Sequence, residues 1–168
     1  DEFCRDLPAG AAGYAALDAL VQSVPCGCDG LAFLPFLSGS VDPDACPEAR
    51  AVFFGARLST TRAHFARSVM ESVAFLLRDF FGMLNALGCP ADTVYSLGGG
   101  ARSAVWQQIK ADACGRTFRV PACSEATAMG AALLAGWGSG LIAPGVFPCR
   151  GESAVYLPDN ARAPAYDL

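Results

Sequence analysis

The chain predicts an α/β domain, and two observations carry that expectation. Short apolar runs alternate with helix-length segments through its second half, in the order strand, helix, strand, helix. Each strand run also ends in glycine or proline turn chemistry. The 168 residues, 53% hydrophobic and 17% charged with a net charge of −4, suit a globular core and not a disordered chain. That length fits one domain, and equally one half of a two-lobed protein.

The elements follow in order. Residues 12–24 (AGYAALDALVQSV) space Tyr14, Leu17, Ala19, Leu20 and Val24 near helical intervals, and Pro25 with CGCDG stops them. LAFLPFL is a short strand broken by Pro35, and residues 38–50 form a polar, proline-containing loop. AVFFGARLS gives a strand ending at Gly55. Residues 59–88 form the longest periodic segment, with Ser59 or Thr60 as N-cap, Gly88 as the stop, and Phe65, Val69, Val73, Leu76, Phe80 and Leu84 as one apolar stripe. Such a helix runs ~40 Å and must be central to packing. DTVYSL reads as a buried strand, GGG as a turn, and 101–113 as a helix with Trp106, Ile109 and Ala113 inward. RTFRVP is the next strand. A helix of small residues then runs from near Ser124 to Gly136–Gly140, and Ala126, Ala128, Gly130, Ala131 and Ala132 imply a close neighbour. SAVYLP is an edge strand in a proline-rich tail.

Several function classes fall away. Eleven arginines and the single lysine, Lys110, are scattered without a basic stripe, which excludes a nucleic-acid binder and leaves small molecules as the default partner. No apolar run reaches the ~18 residues of a membrane span, and DEFCRDLPAG has neither the basic nor the apolar region of a signal peptide, so the expected location is cytoplasmic without membrane contact. Eight cysteines include one C-x-C, at Cys26 and Cys28, but no C-x2-C pair and only one histidine; they read as ordinary thiols in a reducing compartment, and no metal ligands are assigned. His64, one residue before the apolar stripe, reads as a packed or capping residue.

The glycines of TVYSLGGGARSAVWQQI, residues 93–109, join a strand to a helix start. Backbone N–H groups there converge with the positive end of the helix dipole, which suits a phosphate or a flat ring, while a tight connection with no ligand remains the bland alternative. There is no G-x-x-x-x-G-K-[ST], and Ser103 stands where a dinucleotide fingerprint needs its third glycine.

Four blocks in register, LPFLSG, FFGARLSTTRAHFARSVMESVAFLLRD, SLGGGARSAVWQQIKADACGRTFRVP and EATAMGAALLAG, resemble the C-terminal half of the FGGY carbohydrate kinases, most of all their xylulokinase branch. The resemblance covers residues 12–142. It implies one lobe of an actin-like ATPase, ribonuclease H-like fold in a two-lobed sugar kinase, which uses ATP and Mg2+ to phosphorylate a ketopentose such as D-xylulose or a related sugar or polyol. Residues 1–11 are then a linker from a missing N-terminal lobe, 12–142 the nucleotide-binding domain, and 143–168 a C-terminal tail.

By the same resemblance, Gly98, Gly99, Gly100 and Ala101 approach the adenosine of ATP, Ser103 and Ala104 line the adenine pocket, and Ser59 lies near the phosphates with Gly55 shaping the approach. Glu125 and Thr127 read instead as helix-start chemistry. No catalytic residue is assigned, because the family's aspartate base belongs to the N-terminal lobe; Asp42 and Asp44 match a loop that carries no base. The chain alone is therefore expected to be inactive, since phosphoryl transfer needs groups on both sides of the phosphate.

The loop SVDPDACPEARA departs from the family pattern, with Ala51 at the usual glycine, so a sugar other than xylulose is open. Expected partners are the sugar, the N-terminal lobe and a possible homodimer, with an apolar face exposed where the other lobe belongs. The alternative is a non-catalytic actin-like module that binds nucleotide or protein.

Overall fold

A computed structural model describes residues 5–40, 45–123, 125–146 and 151–167. The expectations for Asp42, Asp44 and Ser124 lie outside those residues. The elements are α1 (Ala11–Gln22), β1 (Ala32–Leu34), β2 (Val52–Phe54), α2 (Arg62–Ala86), β3 (Thr93–Tyr95), α3 (Ala104–Cys114), β4 (Thr117–Pro121), α4 (Ala126–Gly138) and β5 (Glu152–Tyr156). β1 and β2 pair antiparallel as a separate ribbon. The main sheet has the order β3-β4-β5, with β3 and β4 parallel across α3 and β5 antiparallel on the far side of β4. A parallel pair needs such a crossover, and α3 supplies it.

The core lies where α1, α2 and α3 meet. Val21, Met70, Ala74, Ile109 and Ala113 are joined there by Tyr166, from the segment that follows β5. Phe118 on β4 is the largest fully buried side chain, and Trp106, as expected of an inward residue, packs against the core and donates from Nε1 to Met70 O at 3.0 Å. The tail set apart in sequence thus contributes both an edge strand and a core side chain.

Four expectations need correction. The cap of α2 is Thr61, not Ser59 or Thr60. Thr60 is already committed to the preceding turn, where its Oγ1 accepts from Arg57 N at 2.8 Å, and His64 closes the helix start from within by accepting from Thr61 N at 3.2 Å through Nδ1.

The buried face of α2 is also not the apolar stripe. Arg67, Met70, Glu71 and Ala74 are buried, whereas Val69, Phe80 and Leu84 stay about 40% exposed, at 41%, 42% and 39%. Arg67 and Glu71 can be inside because they satisfy each other: Nε donates to Oε1 at 2.7 Å. Glu71 also accepts from Gly27 N and from the Cys28 thiol. A charge pair at i, i+4 reads as solvent-facing in sequence, and full hydrogen bonding is what lets it be buried.

β3 is not buried. It lies at the sheet edge and leaves Tyr95 and Leu97 exposed. Nor does α4 lie close to a neighbouring element: Ala128, Ala131 and Ala132 are exposed, and only Leu133 and Gly136 are buried. Among its glycines, Gly136 makes a tight approach to the helix's own C-terminal loop, where a Cβ would stand 2.7 Å from Ile142.

Candidate functional site

The glycine triplet leaves β3 through Ser96, whose N–H extends the ladder to Arg119 O at 2.8 Å. Gly98 then takes φ 78°, a left-handed value that favours glycine, and Gly99–Arg102 form a single 3₁₀ turn. Ser103 caps α3: its Oγ accepts from Trp106 N at 3.0 Å and donates to Asp18 Oδ1 on α1 at 2.8 Å. One hydroxyl therefore fixes the helix start and ties α3 to α1.

The three glycines are glycine for different reasons. A Cβ on Gly100 would stand 2.9 Å from the Trp106 ring, so packing requires its absence. Gly98 is required by its φ. Gly99 has neither constraint, since its φ is not left-handed and an added Cβ would meet nothing within 4 Å. The fold itself leaves Gly99 open toward a cavity of about 1070 Å³ between α1, the start of α2 and the turn.

Its floor is apolar, with Leu17 from α1, Phe65, Val69 and Val73 from α2, and Trp106 from α3. The stripe that sequence places in the core thus lines this cavity over its first two turns. Gly10, Tyr14, Asp18, Arg62 and Arg102 add polar groups and backbone at the margin. Arg62 pairs with Asp6 and holds that carboxyl below the usual range, and Arg102 lies 3.5 Å from Glu125 across an exposed surface.

Of the residues singled out in sequence, Gly99, Gly100 and Ser103 line the cavity. Gly98 opens the turn, Ala101 is buried beneath it and Ala104 is exposed outside it. Ser59 and Gly55 are not brought to the cavity. Ser59 sits in an exposed turn before Thr61, and Gly55, at φ 86°, lies so close under Gly30 that a Cβ would stand 2.2 Å from its carbonyl oxygen. Sequence reasoning missed Tyr14, Asp18, Arg62 and Arg102. A lone carboxylate, Asp18, inside the otherwise apolar face of α1 was the available signal.

Behind the turn lies Lys110, 7% exposed. Its Nζ donates to Ser96 Oγ at 3.2 Å and stands 5.3 Å and 5.4 Å from the ring centroids of Trp106 and Phe118. Burial pushes this amine down to about 8. A second, shallower cavity of about 580 Å³ near the end of α2 presents Arg78 and Arg116. Both guanidiniums are already engaged, Arg78 with Tyr166 O and Asp167 and Arg116 with Ala91 O and Asn85. No group of three or more metal-type ligands occurs among the described residues, and no helix among them is long and apolar enough to cross a membrane.

Known proteins can be set beside this geometry. The xylulose kinase of Bacillus subtilis is 35% identical over 120 residues, which are 71% of this chain and 24% of that protein. The glycerol kinase of Citrifermentans bemidjiense is 38% identical over 127 residues, 75% of this chain and 26% of that protein. The chain thus spans about a quarter of the length of such relatives. In three dimensions it superposes on the crystal structure of xylulose kinase from Rhodospirillum rubrum with a TM-score of 0.78 and 37% identity, covering 95% of this chain and 32% of that one. The α/β architecture is that of the actin-like sugar kinases. Residues 5–139 match the C-terminal domain of the FGGY family of carbohydrate kinases, and the chain belongs to that family.

Proposed function

We propose that this chain is the nucleotide-binding lobe of an ATP-dependent sugar kinase that transfers the γ-phosphate to a hydroxyl of a ketopentose such as D-xylulose, or of a related sugar or polyol, in the cytoplasm. The observation that carries the reading is the cavity at Gly99: an apolar slot with glycine backbone on one wall, a helix start on another and arginines at its edge. The slot suits a purine and ribose, because the Gly99 backbone is open to a flat ring and Leu17, Phe65 and Trp106 offer apolar surface. Relatives named for xylulose and glycerol support a hydroxyl acceptor without fixing which one.

The residues of this chain bind and orient. Gly98, Gly99, Gly100 and Ala101 form the adenosine side, with Ser103 holding the turn and α1 together through Asp18. Arg62 and Arg102 supply positive charge at the margin where phosphates would leave the slot, whereas Ser59 and Gly55 stand outside it and are given no contact with the nucleotide. Asp18 is the carboxylate at the cavity and is engaged by Ser103, so Mg2+ is assigned to the nucleotide phosphates and no step is routed through a metal held here. The base that deprotonates the acceptor hydroxyl belongs to an N-terminal lobe, and the chain by itself binds nucleotide without catalysing transfer.

Calorimetric titration of the chain with ADP tests the reading: saturable heat that disappears in Gly99→Val supports it, and no heat with the wild-type chain refutes it.

A further inference from the structure

Past the family match, which ends at residue 139, the chain returns to the helices. Gln108 Nε2 donates to Leu157 O at 2.8 Å, and the buried Asp112 accepts from Asp159 N at 2.8 Å. Arg162 adds a contact to Asp112 at 3.4 Å. The segment then crosses α2, where Arg78 donates to Tyr166 O at 3.0 Å and pairs with Asp167 at 2.9 Å. Tyr166 ends 2% exposed in the core, edge-on to Phe75. Gly27 lies against it so closely that a Cβ there would stand 2.8 Å from Ala165 O.

The Tyr166 hydroxyl accepts from Arg67 Nη2 at 3.0 Å. The same guanidinium donates to Val21 O at 3.2 Å and Val24 O at 3.0 Å, the last carbonyls of α1 and its exit. Nη2 also lies 3.3 Å from Cys26 Sγ. Ser23 N and Val24 N already close turns onto Leu20 O and Val21 O; this cation adds to them at the exit of α1 and joins it to α2. α1 also walls the cavity along its length, from Gly10 and Tyr14 through Leu17 and Asp18 to Leu20, two residues before the helix ends.

We propose that residues 157–167 are a strap that clamps the end of α1 through Tyr166 and Arg67 and so sets the width of the cavity. Tyr166 and Arg67 are positioning residues; the effect on ligand affinity rests on the nucleotide reading above, whereas the effect on α1 does not. Tyr166→Phe keeps the ring in the core and removes only the hydroxyl, and Arg78→Ala loosens the strap from outside without touching α1.

In the full chain, both variants are compared with wild type by hydrogen exchange of the α1 amides, by the rate at which N-ethylmaleimide labels Cys26 under reducing conditions, and by ADP titration. The expected result is faster exchange in α1, with α3 and β4 unchanged, faster labelling of Cys26, and ADP binding weakened about fivefold, the loss of one hydrogen bond. Unchanged exchange and labelling in both variants would overturn the proposal, and so would a loosened α1 with unaltered ADP affinity. If the wild-type chain takes up no ADP, the nucleotide reading fails, and exchange and labelling alone decide for or against the strap.

Discussion

Replacing Lys110 with Met should stabilise the protein near neutral pH, by an amount that shrinks as pH rises. The ammonium is 7% exposed and has a hydroxyl and two aromatic faces around it but, among the described residues, no carboxylate within bonding distance. Burial lowers its pKa from 10.5 to about 8. A base that loses its proton more readily when folded makes the folded state relatively weaker whenever the pH is low enough to charge it. Between about pH 8 and pH 10.5 the unfolded chain binds the extra proton, so stability from this group rises with pH across that window and is lost as pH falls through 8. The shift corresponds to roughly 3 kcal/mol at neutral pH.

Met matches the length of the chain and removes that cost, while giving up the cation–π contacts and the bond to Ser96, together about 1–2 kcal/mol. The net expectation is a gain of about 1–2 kcal/mol at neutral pH. Because the charged-state penalty in wild type decays with pH, the gain should fall by about 2 kcal/mol between pH ~7 and pH ~9.5. Guanidinium denaturation of both proteins, under reducing conditions at the two pH values, reads this directly.

The difference between the proteins is the quantity to follow, because buried thiols act in the opposite direction. Burial raises Cys114 from 9.0 to about 11 and pushes Cys28 up as well. Above pH ~9 the unfolded chain ionises these thiols first and stability falls. That decline is common to both proteins for Cys28 and cancels; for Cys114 it cancels apart from the pull of the Lys110 charge, whose loss lets this thiol rise further and adds to the shrinkage of the gain with pH. A Lys110→Met protein less stable than wild type at neutral pH, or a difference that does not change with pH, would refute the reasoning.

Other outcomes follow from the same geometry. Gly99→Ala should change stability by less than ~0.5 kcal/mol, since the added Cβ meets nothing within 4 Å, while weakening ADP binding measured by calorimetry. Gly100→Ala should instead destabilise by about 1–3 kcal/mol in thermal unfolding, because it drives a Cβ to 2.9 Å from Trp106. Arg67→Met should cost about 3–5 kcal/mol in denaturant unfolding by leaving Glu71 buried and uncompensated, and the double change with Glu71→Gln should recover part of it. Ser103→Ala should cost about 1 kcal/mol through the lost cap, with a further drop in ADP affinity as α1 is released from α3.

Much of the fold was legible because its signals are local. β1, β2, β4 and α3 announce themselves by periodicity and turn residues, and Gly88 marks the end of α2 with the left-handed φ of 77° that a helix stop needs. What sequence could not show was which face of a helix meets its neighbours. The stripe from Phe65 to Leu84 carries the apolar signal on α2, but burial goes to the face with Arg67 and Glu71, whose polarity is cancelled by partners 40 or more positions away, at Val21, Val24 and Gly27. No window of sequence contains that cancellation. Tyr166 is the same case, a tail residue whose place in the core depends on Arg67 and Phe75.

The glycine triplet shows how far such reading extends at the site. In sequence the three residues are one signal, consistent with a phosphate, a ring or a bare turn. Structure separates them, because φ accounts for Gly98 and the Trp106 ring accounts for Gly100. A bare turn would explain those two and leave Gly99 free to be any residue. Gly99 is the position where the fold imposes nothing and a cavity begins, so any requirement for glycine there would report a ligand in the cavity and not the turn. The contrast between Gly99→Ala and Gly100→Ala therefore separates ligand from architecture: stability should register the second substitution and nucleotide affinity the first, whereas a turn serving the fold alone would leave affinity indifferent to Gly99.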